Sequence, residues 1–138
     1  MKVLKFGGTS VGSAERIRHV AGLIRSRGRN IVVLSAMAGT TNTLVDIADY
    51  LSKGNVPGAQ ETLNNLNLKY LNVIDELFES ETSRLRAKAV ISERFSYIRA
   101  LIDGDYSAAD GREILAQGEL MSTAMMDIYL NENGVRSV

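Results

Sequence analysis

Residues 3–10 read VLKFGGTS, and the rest of the chain is organised around them. Val3 to Phe6 form a short, mostly apolar run that is typical of a buried β-strand. Gly7 and Gly8 follow at once, and a helical pattern begins at Ser13. A strand, a glycine turn and a helix in this order direct backbone N–H groups and a helix N-terminus towards an anion, usually a phosphate.

Lys5 is the unusual residue of this stretch. The first strand of a parallel sheet is normally apolar on both faces, and an unpaired ammonium group is costly to bury. Lys5 lies just before the turn, so its side chain can extend past the strand end into the anion site. Local physics leaves two interpretations open: a phosphate site, which we favour, or a lysine that reaches solvent from an edge strand beside an ordinary glycine turn.

The spacing of the glycines excludes two familiar phosphate motifs. A Walker loop requires GxxxxGK(S/T), and no lysine follows these glycines. A dinucleotide fingerprint requires GxGxxG, but Thr9 occupies the position of its second glycine. The motif is therefore a glycine turn of another type, whose lysine precedes the glycines.

The composition is that of a soluble globular chain. The 138 residues suit one domain, with 45% hydrophobic and 23% charged side chains. The 16 basic and 16 acidic residues cancel, so no broad charge attracts nucleic acid or a membrane surface. The absence of cysteine excludes disulfides, thiolate zinc sites and thiol nucleophiles, and we expect His19, the only histidine, at the surface. No signal peptide or membrane span is predicted, so we expect a cytoplasmic location.

Two strand–turn–helix units are predicted in the first part of the chain. The first helix is expected over residues 13–27, with Ser13 as its cap. Residues 30–36 (NIVVLSA) are typical of a fully buried strand, and a small-residue turn at 37–42 (MAGTTN) leads into the second helix. Both turns should lie at the carboxyl edge of a parallel sheet, where such sheets bind ligands. Thr41 is expected to cap the second helix, to contact a ligand, or both.

Residues 57–103 predict a helical hairpin inserted between strands. Apolar residues recur at helical spacing in both halves of this segment. The heptad-like spacing is too brief for a coiled coil. We interpret the hairpin as a lid or a subunit-contact element that carries no chemistry of its own.

The last segment, residues 108–133, has a helical pattern that Gln117-Gly118-Glu119 interrupts. A glycine inside a helix costs about 1 kcal/mol relative to alanine, so we expect a helix joint at which Glu119 begins a new helix. The helix dipole favours a carboxylate there, which could bind an ammonium group, although a solvated surface glutamate is the alternative. Residues 135–138 indicate the start of a third strand. Because two or three parallel strands make a poor sheet, we expect the chain to be the N-terminal piece of a longer protein.

Three separated motifs closely resemble those of the aspartokinases, the aspartate kinases of the amino-acid kinase family. They are KFGGTSV at 5–11, LSAMAGTTNxL at 34–44 and QGELMST at 117–123, and the likeness covers the whole chain in order. The resemblance implies an α/β fold, a three-layer α/β/α sandwich around a mostly parallel sheet, of which this chain is the N-terminal portion with its helical hairpin insert. The rest of the kinase domain and the regulatory ACT domains would follow.

The resemblance also implies an activity, which is the ATP-dependent phosphorylation of the β-carboxylate of L-aspartate to 4-phospho-L-aspartate. This reaction is the first step towards lysine, threonine and methionine. The enzyme would be a homo-oligomer with ATP and L-aspartate as its small-molecule partners and with no nucleic acid or membrane partner. Mg²⁺ would arrive with the nucleotide rather than at a metal site of the protein's own.

The site residues that the resemblance implies fall into two groups. Lys5 would neutralise charge on the transferring phosphoryl group, and the ATP phosphates would be held by the turn that consists of Gly7, Gly8, Thr9 and Ser10. Aspartate would be bound by Thr41 and by Glu119, which would face the α-ammonium group. Ser35, at the same strand end, would be a further contact.

Several parts that the family requires are absent from these residues: the nucleotide-base pocket, an aspartate that organises the lysines, and an arginine for the substrate carboxylate. We therefore expect the 138 residues alone to bind ATP and aspartate weakly and to turn over slowly or not at all. One alternative is another amino-acid kinase that acts on a different carboxylate, although QGELMST argues against it. The other is a non-catalytic phosphate-binding or oligomerisation module.

Overall fold

A computed structural model describes residues 1–138. The chain forms two β-strands, a short 3₁₀ turn and five α-helices. In chain order these are β1 (Lys2–Phe6), the 3₁₀ turn (Gly8–Val11), α1 (Ala14–Ser26), β2 (Asn30–Leu34), α2 (Thr40–Ser52), α3 (Val56–Leu77), α4 (Glu81–Asp103) and α5 (Ala108–Glu132).

The sheet is parallel, and only one of its faces is covered by helices. β1 pairs with β2 so that Lys5 lies opposite Val33. Leu34 belongs to the core, whereas Val3 is 66% and Ile31 is 51% exposed on the opposite face. The expectation of fully buried strands is therefore wrong, because alternate side chains of a strand point to opposite faces and the helices lie against one face only. The parallel sheet is present as two strands, and the three-layer arrangement stays a prediction.

Helix α1 begins and ends close to the expected positions because its local signals are strong. The Ser13 hydroxyl accepts a hydrogen bond from the Arg16 N–H at 3.3 Å, and Glu15 lies in the first turn, where the helix dipole favours a negative charge. Gly28 follows the helix with a positive φ of 71°. His19 is exposed, as expected.

Helices α3 and α4 form the hairpin. Asn55 caps α3, and residues 78–80 join it to α4, whose first turn the Ser80 hydroxyl caps. Tyr70 and Phe95 pack edge to face between the two helices, with ring centroids 5.7 Å apart. A single core of 30 buried apolar side chains includes members of all five helices, so the hairpin is part of the main core. Its function as a lid or a subunit contact stays a prediction.

Helix α5 is continuous through residues 117–119, so the expected helix joint is wrong. The glycine has a different cause, since a Cβ atom on Gly118 would lie 2.8 Å from the Cβ of Ala36. Close packing against the end of β2 thus explains the residue. The helix begins with a capping box in which Ser107 and Asp110 bond each other's backbone N–H groups.

Residues 135–138 form no strand, which corrects the second expectation for this region. This tail folds back on α5 through hydrogen bonds with its last turns. The Ser137 hydroxyl donates to the Asp127 carboxylate at 2.5 Å, and the Asn131 side-chain nitrogen donates to the Ser137 hydroxyl at 3.0 Å. These contacts bind the tail to the helix rather than to the edge of β2.

Candidate functional site

The two turns that follow β1 and β2 lie against each other at the carboxyl edge of the sheet. The Ser35 N–H donates to the Phe6 carbonyl at 3.0 Å, which ties the strand ends together. A Cβ atom on Gly8 would lie 2.8 Å from the Ala36 carbonyl oxygen, and one on Gly12 would lie 2.9 Å from the Ala38 Cβ. Both glycines therefore allow an approach that any larger residue would prevent.

Helix α5 brings the third motif to the same place. Besides Ala36, a Cβ on Gly118 would meet Thr40 Cγ2 and Leu44 Cδ1, each at 3.3 Å. Glu119 follows directly and is exposed. The three motifs thus meet around residues 36–40, although they are widely separated in the sequence. Glu119 lies in the middle of α5, so the helix dipole does not favour its charge there.

The first turn carries the predicted phosphate ligands. Lys5 is exposed on the open face of the sheet, one residue before the strand ends. Gly7 precedes the 3₁₀ turn, and its carbonyl accepts a hydrogen bond from the Ser10 N–H at 3.1 Å. The Thr9 carbonyl accepts from Arg16 Nη1 at 2.5 Å, which holds the turn against α1. The first N–H groups of such a turn have no partner within it and are available to an anion.

The second turn differs from the expectation in one respect. The N-cap of α2 is Gly39, with a positive φ of 82° and no side-chain cap, so Thr41 is not the cap. Thr41 lies in the first turn of α2, is exposed, and its hydroxyl makes no hydrogen bond within the chain. Thr40 is instead buried. The half-buried Ser35 follows β2 at the same edge, so Ser35 and Thr41 both remain available for a ligand.

Two residues of α3 reach this site, and sequence reasoning missed their role. Lys69 Nζ donates to the Ala38 carbonyl at 2.8 Å, and the Tyr70 hydroxyl lies 2.9 Å from Thr40 Oγ1. Burial raises the pKa of Tyr70 to about 12, an effect that the hydrogen bond with Thr40 reduces in part. The helical spacing marks Tyr70 as a core residue, but no local signal indicates that Lys69 contacts a turn 31 residues away.

The site contains no metal centre formed by the chain itself. No group of three or more His, Cys, Asp or Glu side chains lies close enough to hold a metal ion.

None of the helices combines the length and apolar character needed to cross a bilayer.

Comparison with known proteins identifies the family of this chain. The profile of the amino acid kinase family matches residues 1–138. The chain belongs to this family. Within the amino acid kinase family, the resemblance to aspartokinases is confirmed by relatives and by solved structures.

Two curated relatives illustrate the similarity. Aspartokinase 3, chloroplastic, from Arabidopsis thaliana is 36% identical over 96% of this chain and 24% of its own length. The aspartate kinase of Pseudomonas fluorescens is 39% identical over 78% of this chain and 26% of its own length. The chain therefore spans about a quarter of the length of these relatives.

Solved structures give the same fold. Escherichia coli aspartokinase III, in complex with aspartate and ADP, superposes with a TM-score of 0.82 at 30% identity, over 97% of this chain and 29% of that one. Clostridium acetobutylicum aspartate kinase superposes with a TM-score of 0.74 at 19% identity, which supports the fold alone.

Proposed function

We propose that these residues are the N-terminal part of the catalytic domain of an aspartokinase. The complete protein would transfer the γ-phosphoryl group of ATP to the β-carboxylate of L-aspartate, with ADP and 4-phospho-L-aspartate as products. The observation that carries this proposal is the meeting of three motifs around residues 36–40, where Gly8 and Gly118 both approach Ala36. The remaining strands and helices of a three-layer sandwich and the ACT domains would come from the rest of the chain.

The phosphate side of the site would consist of Lys5 and the turn formed by Gly7, Gly8, Thr9 and Ser10. Phosphoryl transfer needs little covalent work from a protein, since it depends on positioning and on positive or N–H groups around the moving oxygens. The turn supplies N–H groups, and the exposed Lys5 ammonium supplies the positive charge. A β-carboxylate oxygen of aspartate would attack the γ-phosphorus as the bond to ADP breaks.

The aspartate side would consist of Ser35, Thr41 and Glu119. Glu119 is an exposed carboxylate suited to the α-ammonium group, and the Thr41 hydroxyl has no partner within the chain. Thr41 also lies at the start of α2, whose unpaired N–H groups favour a carboxylate. Both residues adjoin the packing contact between Thr40 and Gly118, so one rigid contact would set their spacing.

The nucleotide would bring Mg²⁺, which reduces the negative charge of the phosphates when it is bound. No group of three or more acidic side chains lies together in these residues, so the nucleotide would supply most of the ion's ligands other than water. A homo-oligomeric state and a cytoplasmic location belong to the proposal as well. The location depends on the organism, because the Arabidopsis relative is described as chloroplastic.

The test is a Lys5→Met variant of the full-length protein, assayed for aspartate-dependent ADP release. We expect kcat to fall by about 10²- to 10³-fold, which is typical for loss of one group that stabilises the transition state. Thermal stability should not change, because Lys5 is exposed. Lys53→Met is the matched control, since Lys53 is an exposed lysine paired with Asp49.

Three outcomes would contradict the proposal. Full activity of Lys5→Met would remove Lys5 from the mechanism. Phosphorylation of a different carboxylate by the wild-type protein would favour another amino-acid kinase. ATP binding without turnover on any amino acid would favour a phosphate-binding module.

A further inference from the structure

Helix α3 holds the second turn at two successive points. Lys69 donates to the Ala38 carbonyl at 2.8 Å, and the next residue, Tyr70, shares a hydrogen bond of 2.9 Å with Thr40. The two contacts lie on either side of Gly39, whose positive φ of 82° is a conformation that glycine adopts without strain. Helix α3 of the hairpin is thus hydrogen-bonded to both residues that flank Gly39, just before Thr41.

The hydrogen bond from Lys69 should affect the position of the backbone at residues 38–39 more than the stability of the protein. Lys69 is exposed and Ala38 is half-buried, so water can replace the ammonium group if it is removed. The Nζ atom also lies 3.5 Å from the place that a Cβ on Gly39 would occupy. Lys69 therefore restrains the backbone immediately before α2, where no side chain caps the helix.

The Tyr70 contact is buried and rigid. Tyr70 and Thr40 are both 0% exposed, and Phe95 packs against the tyrosine ring. The Thr40 methyl group meanwhile faces Gly118 of α5. Thr40 is thus fixed from one side by α3 and from the other by the residue that precedes Glu119.

We propose that Lys69 and Tyr70 are positioning residues for substrate binding, which set the distance between Thr41 and Glu119 through the turn at 38–40. This inference rests on the proposed function and extends it, since it assigns a role to the hairpin. Neither residue needs to touch the substrate. Their effect should fall mainly on aspartate binding, with a smaller effect on ATP binding because Ala38 also lies against Gly12 of the first turn.

The experiment compares Lys69→Met and Tyr70→Phe in the full-length protein. We expect the KM for aspartate to rise about two- to tenfold, the loss that corresponds to one hydrogen bond, with a smaller rise in the KM for ATP and with kcat nearly unchanged. Lys69→Arg retains a donor and should restore most of the affinity. Lys53→Met and Tyr97→Phe are matched controls, because these exposed side chains bond only Asp49 and Glu113.

An unchanged KM for aspartate in both variants would overturn the inference. An equal rise in the KM for ATP would also overturn it, because that result indicates general loosening of the site. If the wild-type protein does not phosphorylate aspartate, the proposed function fails, yet hydrogen exchange still decides the positioning role. Faster exchange confined to amides 38–42 in Lys69→Met supports that role, and unchanged exchange there refutes it.

Discussion

Gly118 allows the sharpest test of how α5 is placed. Alanine at this position would set its Cβ 2.8 Å from the Ala36 Cβ and 3.3 Å from the nearest carbons of Thr40 and Leu44. The optimum for such contacts is about 3.5–4.0 Å. The Ala36 methyl has no torsion that could move it away, so the backbone of α5 or of the turn must shift.

The expected change in the free energy of unfolding for Gly118→Ala is the sum of two opposing contributions. In the middle of a helix, alanine is favoured over glycine by about 1 kcal/mol. Overpacking of a close contact costs about 1–3 kcal/mol. Gly22 of α1 isolates the first term, because a Cβ there meets nothing within 4 Å. Gly22→Ala should therefore stabilise the protein, and Gly118→Ala should be about 1–3 kcal/mol less stable than Gly22→Ala.

Urea unfolding followed by far-UV circular dichroism measures both variants, with the midpoint compared at a constant m-value. In the full-length protein, Gly118→Ala should also raise the KM for aspartate, since it displaces Thr40. Equal stability of the two variants would contradict this prediction, because it would mean that α5 does not approach the turn after β2 as closely as the Gly118–Ala36 distance indicates.

Other predictions concern the first turn, a buried tyrosine and a helix cap. Gly8→Ala would place a Cβ 2.8 Å from the Ala36 carbonyl oxygen and force the two turns apart; we expect a loss of about 1–3 kcal/mol in urea unfolding, with weaker ATP binding by titration calorimetry. Since the pKa of Tyr70 is raised to about 12 from 10.0, folded protein holds this proton more tightly than unfolded protein. The stabilisation from this difference is fully present below pH 10 and is lost as the pH rises towards 12, by up to about 1.4 kcal/mol per pH unit. Tyr70→Phe should remove this contribution to the pH dependence of the unfolding free energy. Ser107→Ala removes the capping box with Asp110 and should cost about 1 kcal/mol by the same unfolding measurement.

Local chemistry explains the parts of the structure that were predictable. Ser13 and Gly28 bracket α1, and a run of four apolar residues marks β2, because caps, turns and periodicity act within a few residues. The same reasoning located both turns at one sheet edge. The roles of the motif residues rest on the resemblance to aspartokinases, and they stay proposals.

Tertiary structure decided what local signals could not. Sequence reasoning explained Gly118 by a helix joint, whereas its cause is the neighbouring Ala36, 82 positions earlier in the sequence. The sequence predicts Thr41 as a helix cap, a ligand contact or both, whereas Gly39 takes the cap position and Thr40 is buried against Tyr70. The apolar strands also gave no sign of which face the helices leave open.

Local sequence patterns were enough to locate the two strands and five helices in order, and the glycine turn with its preceding lysine, although they also predicted a third strand and a joint in α5 that the structure lacks. Only the tertiary structure determined which turn residues are buried, why α5 contains a glycine at its closest contact, and that Lys69 reaches the Ala38 carbonyl. The two kinds of information act over different separations along the chain. Propensities and caps depend on neighbours in the chain, whereas close packing and long-range hydrogen bonds depend on residues that only the fold brings together.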